Sequence, residues 1–163
     1  MIKVVAAKFK SFRFLTNYNS HNNGRIWVLW NPSTVAVSSL DAHVQFLHCQ
    51  VYHHATSVLF SATFVYASND LVARESLWSA LSDISPTVSA WVVLGDFNVV
   101  RHVAERVSNT SPSLTDILAF NACILNCALD DIQSSGCEYT WSNKQDGNAR
   151  VWCKLDRVLV NAC

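Results

Sequence analysis

Trp91-Val92-Val93-Leu94 is an unbroken apolar run that stops at Gly95 and passes at once into Asp96-Phe97-Asn98. A short apolar run with no polar alternation fits a strand covered on both faces, and such a strand requires packed layers on either side of its sheet. Asp96 and Asn98 stand two residues apart just beyond it, so both can face one cleft at the strand's carboxyl end. That pairing suits phosphodiester hydrolysis, which needs an aligned water and neutralised phosphoryl charge. Gly, Asp and Asn also mark ordinary chain reversals, so the tetrapeptide by itself leaves an Asx-rich turn open.

Strand-like patterns dominate the flanks. Residues 11–15 (SFRFL) and 26–30 (IWVLW) are rich in aromatic and β-branched side chains around Asn22-Asn23-Gly24, which predicts a hairpin. Val35 to Val37, His43 to Tyr52 and Ser57 to Ala67 continue the pattern. The period then changes: Asn69 and Asp70 offer a cap, and Leu71, Trp78 and Leu81 share one side of a helix reaching about Asp83, which Ser85-Pro86 ends. Ser113, with Asp116 three residues on, predicts a second helix with an apolar stripe of Leu114, Ile117, Leu118 and Leu125. Past Asp130-Asp131, Tyr139 to Trp141 and Val151 to Val160 predict strands joined by the loop 144–148. Mainly strands with two interposed helices indicate an α/β (α+β) fold, a layered sandwich of two mainly antiparallel sheets flanked by helices.

With 163 residues, half of them hydrophobic, the chain can bury one substantial core, so residues 1–163 are expected to form a single domain. Its formal charge is zero but uneven: Lys3, Lys8, Lys10, Arg13 and Arg25 open the chain with no acid among them. From Asp41 to Asp131 carboxylates outnumber the bases Arg74, Arg101 and Arg106, so no uniform basic coat marks a polyanion binder. Apolar stretches such as Val58 to Ala67 are too short to span a bilayer, which predicts a soluble protein without a membrane partner. Cysteines without a secretory signal suggest free thiols in an intracellular compartment. Cys123, Cys127, Cys137 and Cys153 include no Cys-x-x-Cys pair, so buried thiols are expected rather than zinc. His102 and Glu105 lie among Arg101 and Arg106 in what reads as a solvated polar loop.

Several segments agree in order with one family. Gly95-Asp96-Phe97-Asn98 resembles the signature of the endonuclease/exonuclease/phosphatase superfamily, and the surroundings look like the endonuclease domain of plant non-LTR (LINE-type) retrotransposons. Gly24 to Pro32, Phe64 to Ala67, Arg74 to Trp78, Phe120-Asn121, Tyr139 to Asn143 and Lys154 to Asn161 are similar to successive parts of that domain. The resemblance implies a metal-dependent nuclease that nicks DNA. Tyr66 would contact phosphate, Asp96 would align the water, Asn98 would assist at phosphate and metal, and Asp156 would orient a catalytic histidine. Asp96 and Asn98 would face Mg²⁺ or Mn²⁺, and Trp141 would stand in the wall beside the site or simply pack. Without the family, Tyr66 reads as a strand aromatic and Asp156 as an ion-pair partner of Lys154 or Arg157. The family's early asparagine and glutamate and its closing Ser-Asp-His segment have no counterpart in the sequence. The expectation is therefore a domain incomplete at both ends, with weak metal binding and impaired or absent hydrolysis. The competing expectation is a catalytically dead remnant that binds nucleic acid or has no selected role.

Overall fold

The computed structural model describes residues 9, 11–18, 20 and 24–161. Strands β1 (Arg13–Thr16) and β2 (Trp27–Trp30) form the expected antiparallel pair, with Thr16 opposite Trp27. The residues Asn22 and Asn23 assigned to its turn lie outside the described residues. β3 (Val35–Ala42), β4 (Phe46–His53) and β5 (Val58–Tyr66) follow as an antiparallel meander with an irregularity between Ser39 and Asp41.

Helix α1 (Leu71–Ile84) crosses over and returns the chain to β6 (Trp91–Asp96), which runs parallel to β5. Asp70 caps α1 by accepting the Ala73 amide at 2.8 Å, a contact worth about 1 kcal/mol in helices generally. The polar stretch after β6 contains β7 (Arg106–Val107), and α2 (Leu114–Asn126) begins at its own cap, Ser113. Then come β8 (Leu129–Asp131), β9 (Trp141–Ser142), β10 (Trp152–Cys153) and β11 (Asp156–Asn161).

These strands build a six-stranded mixed sheet in the order β3-β4-β5-β6-β11-β8, a three-stranded sheet β7-β10-β9, and the β1-β2 ribbon. Every pairing in the large sheet is antiparallel except β5 with β6. Both helices cover one face, where Phe46, Trp91, Val93 and Phe97 meet Leu77, Trp78, Phe120 and Ile124 in the main core. The ribbon packs on the other face, bringing Ile26 and Val28 against Leu47, Cys49, Phe64 and Tyr66. The layered α+β reading of the sequence is thus the fold observed, and β6 sits in the middle of it.

Three local expectations differ. The stripe on α2 is rotated: Ile117 is buried as expected, but Leu114, Leu118 and Leu125 are 63%, 69% and 79% exposed, and Phe120, Cys123 and Ile124 are buried in their place. Phe120 sets that rotation, stacking on Trp78 at 5.1 Å and meeting Phe97 at 5.0 Å. Val151 to Val160 is two strands in two sheets, because the Thr140 hydroxyl accepts the amides of Leu155 and Asp156 and turns the chain between them. The polar loop also holds β7, which pairs with β10. Cys49, Cys123, Cys127 and Cys153 are buried free thiols, as small hydrophobes would be, whereas Cys137 is exposed.

Gly95 lies hard against the neighbouring strand β5. Its φ is +137°, a conformation that L side chains rarely adopt, and a Cβ there would overlap the Val65 carbonyl oxygen of β5. Gly95→Ala is expected to remove more than about 4 kcal/mol of stability or to prevent folding, as read by urea titration followed by circular dichroism.

Candidate active site

The sheet register gathers the residues that the sequence scatters. Tyr66 of β5 lies opposite Asp96 of β6, and Asp156 of β11 lies opposite the same Asp96 from the other side. Residues paired across neighbouring strands project from the same face, so the phenol and the two carboxylates share one rung at the end of the central strands. Trp91, Val93 and Phe97 fill the helix-side core, which puts Asp96 on the opposite face, where Tyr66 already packs beside the ribbon.

Asn98 stands next to this rung in a strained turn. Its φ is +50°, its backbone amide donates to Asp96 Oδ1 at 2.9 Å, and its side-chain amide donates to the Ala67 carbonyl at 2.6 Å. The Asx turn that the tetrapeptide left open is therefore present, and it fixes the Asp96 carboxylate. Arg74 of α1 locks the same turn from beneath. Buried to 2% exposure, it donates to the carbonyls of Ser68 at 2.8 Å and Asn98 at 3.2 Å and pairs with Asp116 of α2 at 2.8 Å. A buried guanidinium is stable only when such partners surround it, so its position is sharply defined.

Asp156 makes no ion pair among the described residues, because its neighbours pair elsewhere. Arg157, fully buried, binds Glu105 and also Asp131 at 2.6 Å, and Lys154 approaches Asp131 at 4.0 Å. Glu105 is consequently no solvated loop residue. It accepts the Arg101 and His102 amides at 2.7 and 3.2 Å as well as the guanidinium. Burial pushes its carboxyl up, but the Arg157 hydrogen bond and charge and those two amides outweigh it and hold the carboxyl below its usual range. The sequence concealed this, since the partner lies far along the chain. His102 itself is exposed. Trp141 is 45% exposed and follows Thr140, the residue that holds the Asp156 backbone, so it stands near the rung without entering a core cluster.

Asp96 is electrostatically frustrated. Burial raises its carboxyl above the ordinary 3.8, the Asn98 amide lowers it, and the facing Asp156 charge raises it again, with a net upward shift. A small cleft of about 170 Å³ adjoins Tyr66 and is lined by Arg25, Val44, Gln45, Ala67 and Ser68. Arg25 places its guanidinium 5.3 Å from the Tyr66 ring centroid. In the sequence Arg25 stands out only as one of the basic residues that open the chain, with nothing to mark it for this cleft.

Solved structures that share this arrangement of strands and helices include proteins described as endonucleases and as a 3′ phosphatase. The endonuclease domain of TRAS1, a telomere-specific non-LTR retrotransposon, superposes with a TM-score of 0.71 at 11% identity, covering 98% of this chain and 77% of that one. The fold is that of the endonuclease/exonuclease/phosphatase proteins. The AP endonuclease LMAP of Leishmania major matches with a TM-score of 0.68 at 13% identity over 98% of this chain and 66% of that one. The 3′ phosphatase NExo from Neisseria, bound to a product DNA hairpin, matches with a TM-score of 0.62 at 15% identity over 96% and 69%. No protein-family model matches the sequence, and no curated protein matches it.

Two outcomes follow from the electrostatics. A carboxyl whose folded pKa lies above its unfolded value costs stability wherever both states are ionised, and the cost vanishes as pH falls below the unfolded value. Asp96→Asn keeps the acceptor for the Asn98 amide and should raise the melting temperature at neutral pH, with the gain disappearing below the ordinary carboxyl value of 3.8. Glu105→Ala strands Arg157 with one partner fewer and should cost on the order of 3 kcal/mol in urea titrations at neutral pH.

Proposed function

We propose that the chain is a metal-dependent phosphodiester hydrolase that nicks DNA, with attenuated turnover. The observation that carries this reading is the single rung of Tyr66, Asp96 and Asp156, buttressed by the Asn98 turn. Support comes also from the endonuclease and DNA-bound phosphatase that share the fold.

The donor set suits a hard divalent cation. Asp96 and Asp156 face one another across the β6–β11 register, and the Asp96 carboxyl is raised chiefly by burial and further by the facing Asp156 charge, both of which an oxygen-seeking cation would offset. Mg²⁺ commonly takes one or two carboxylates and completes its octahedron with water and substrate phosphate. Asp96, with Asn98 beside it, would hold the ion, with Asp156 opposite; bound there, it would neutralise phosphoryl charge. In this reading Asp96 orients the attacking water, Asn98 keeps that carboxylate in place and meets the phosphate, and Tyr66 hydrogen-bonds a phosphoryl oxygen. Asp156 supplies the second negative charge of the rung. Among the described residues no group of three or more His, Cys, Asp and Glu side chains is placed to hold a metal.

Supercoiled plasmid offers a sensitive test, since one nick relaxes it. With Mg²⁺ or Mn²⁺ the chain should nick slowly, chelation should stop it, and Asp96→Asn should lower the rate by at least about a hundredfold. Nicking that persists in the variant or with chelator would refute the hydrolase. Salt-dependent binding with no nicking at all would establish instead a domain that only binds nucleic acid.

A further inference from the structure

The cleft at Tyr66 is built more carefully than packing requires. Arg25 stands just ahead of β2, and the amide of the next residue, Ile26, donates to Asn17 Oδ1 at 3.1 Å. Asn17 is fully buried, and its side-chain amide donates to the carbonyls of His43 and Val44 at 3.1 Å each. One asparagine therefore fixes both the Arg25 backbone and the Val44 side of the cleft. Gln45 beyond it is clamped as well, donating to the Ala73 carbonyl at 2.7 Å and accepting the Ser68 amide at 2.6 Å.

Arg25 ends this chain of supports, lying over the Tyr66 ring. Among the described residues it makes no ion pair, although the ring that it covers shares a rung with Asp96 and Asp156. A guanidinium laid against an aromatic ring keeps in-plane N–H donors available at its edge, and their fork matches phosphate oxygens. The two carboxylates repel any polyanion that approaches them, so a substrate backbone needs a cation beside the rung to offset that field. Arg25 is the base lining this cleft.

We propose that Arg25, seated on Tyr66, binds a backbone phosphate of DNA next to the phosphodiester held at Asp96 and Asp156, so that the cleft is a substrate-positioning subsite. The inference rests on the phosphodiester reading of the site and extends it to a second phosphate. Arg25 acts by binding and takes no part in bond making.

The test uses the full chain carrying Asp96→Asn, a short fluorescein-labelled DNA duplex, chelator, and anisotropy titrations over a NaCl series. Adding Arg25→Ala should weaken binding about tenfold at low salt and reduce the slope of log K against log salt by about one, as loss of one phosphate contact does. Arg25→Lys should restore the slope but only part of the affinity, because a lysine keeps the charge without the planar stack. Arg13→Ala, at the other end of the β1–β2 ladder, should leave the slope unchanged. A lowered melting temperature with an unchanged slope in Arg25→Ala would overturn the proposal, assigning Arg25 to holding the ribbon. Equal loss in Arg13→Ala would overturn it too, reducing the effect to general charge. Absence of any binding by the parent chain would instead overturn the phosphodiester reading, and the subsite with it.

Discussion

The parallel contact between β5 and β6 is the constraint on which the remaining architecture depends. Its last rungs place Val65 against Gly95 and Tyr66 against Asp96, and the approach is possible because Gly95 carries no side chain. A parallel pair needs a crossover, which α1 supplies, and the crossover in turn commits one face of the sheet to helices. The other face is left for the ribbon and the polar rung. The polar rung and the core are thereby separated by a single strand whose alternate residues face each.

Two buried guanidiniums hold the rung from either side. Arg74 gathers the chain ends leaving β5 and β6 and ties them to α2 through Asp116. Arg157 lies one residue beyond Asp156 and, on the face away from it, joins β11 to Glu105 and Asp131. Such groups add little net stability compared with apolar packing, yet they penalise every arrangement that leaves them unpaired. Their contribution is to geometry, and both act on the backbone immediately flanking the carboxylates.

Local signals in the sequence were faithful where short-range physics decides. The apolar run of β6, the caps Asp70 and Ser113, and the Asp96–Asn98 turn all depend on residues a few positions apart, and each was legible. Tyr66 and Asp156 were recognisable only through family resemblance, because the registers that set them beside Asp96 join distant segments. Glu105 looked solvated among Arg101, His102 and Arg106 because the partner that buries it, Arg157, comes much later. Counting leucines misplaced the buried face of α2, since large aromatic surfaces on Trp78, Phe97 and Phe120 decide its rotation and leave Leu114, Leu118 and Leu125 outside.

The strand order has a temporal corollary. The β3-β4-β5 meander closes through short connections, whereas β11, the last of the described strands, must return across the chain to reach β6. Loop-closure entropy makes the local meander the cheaper structure to form early and the β6–β11 contact a late one. Asp156 is thus expected to meet Asp96 only after the meander has formed. Detachment of β11 alone would dismantle the carboxylate pair while leaving the pairings of the meander in place, so the rung depends on the docking of one short strand.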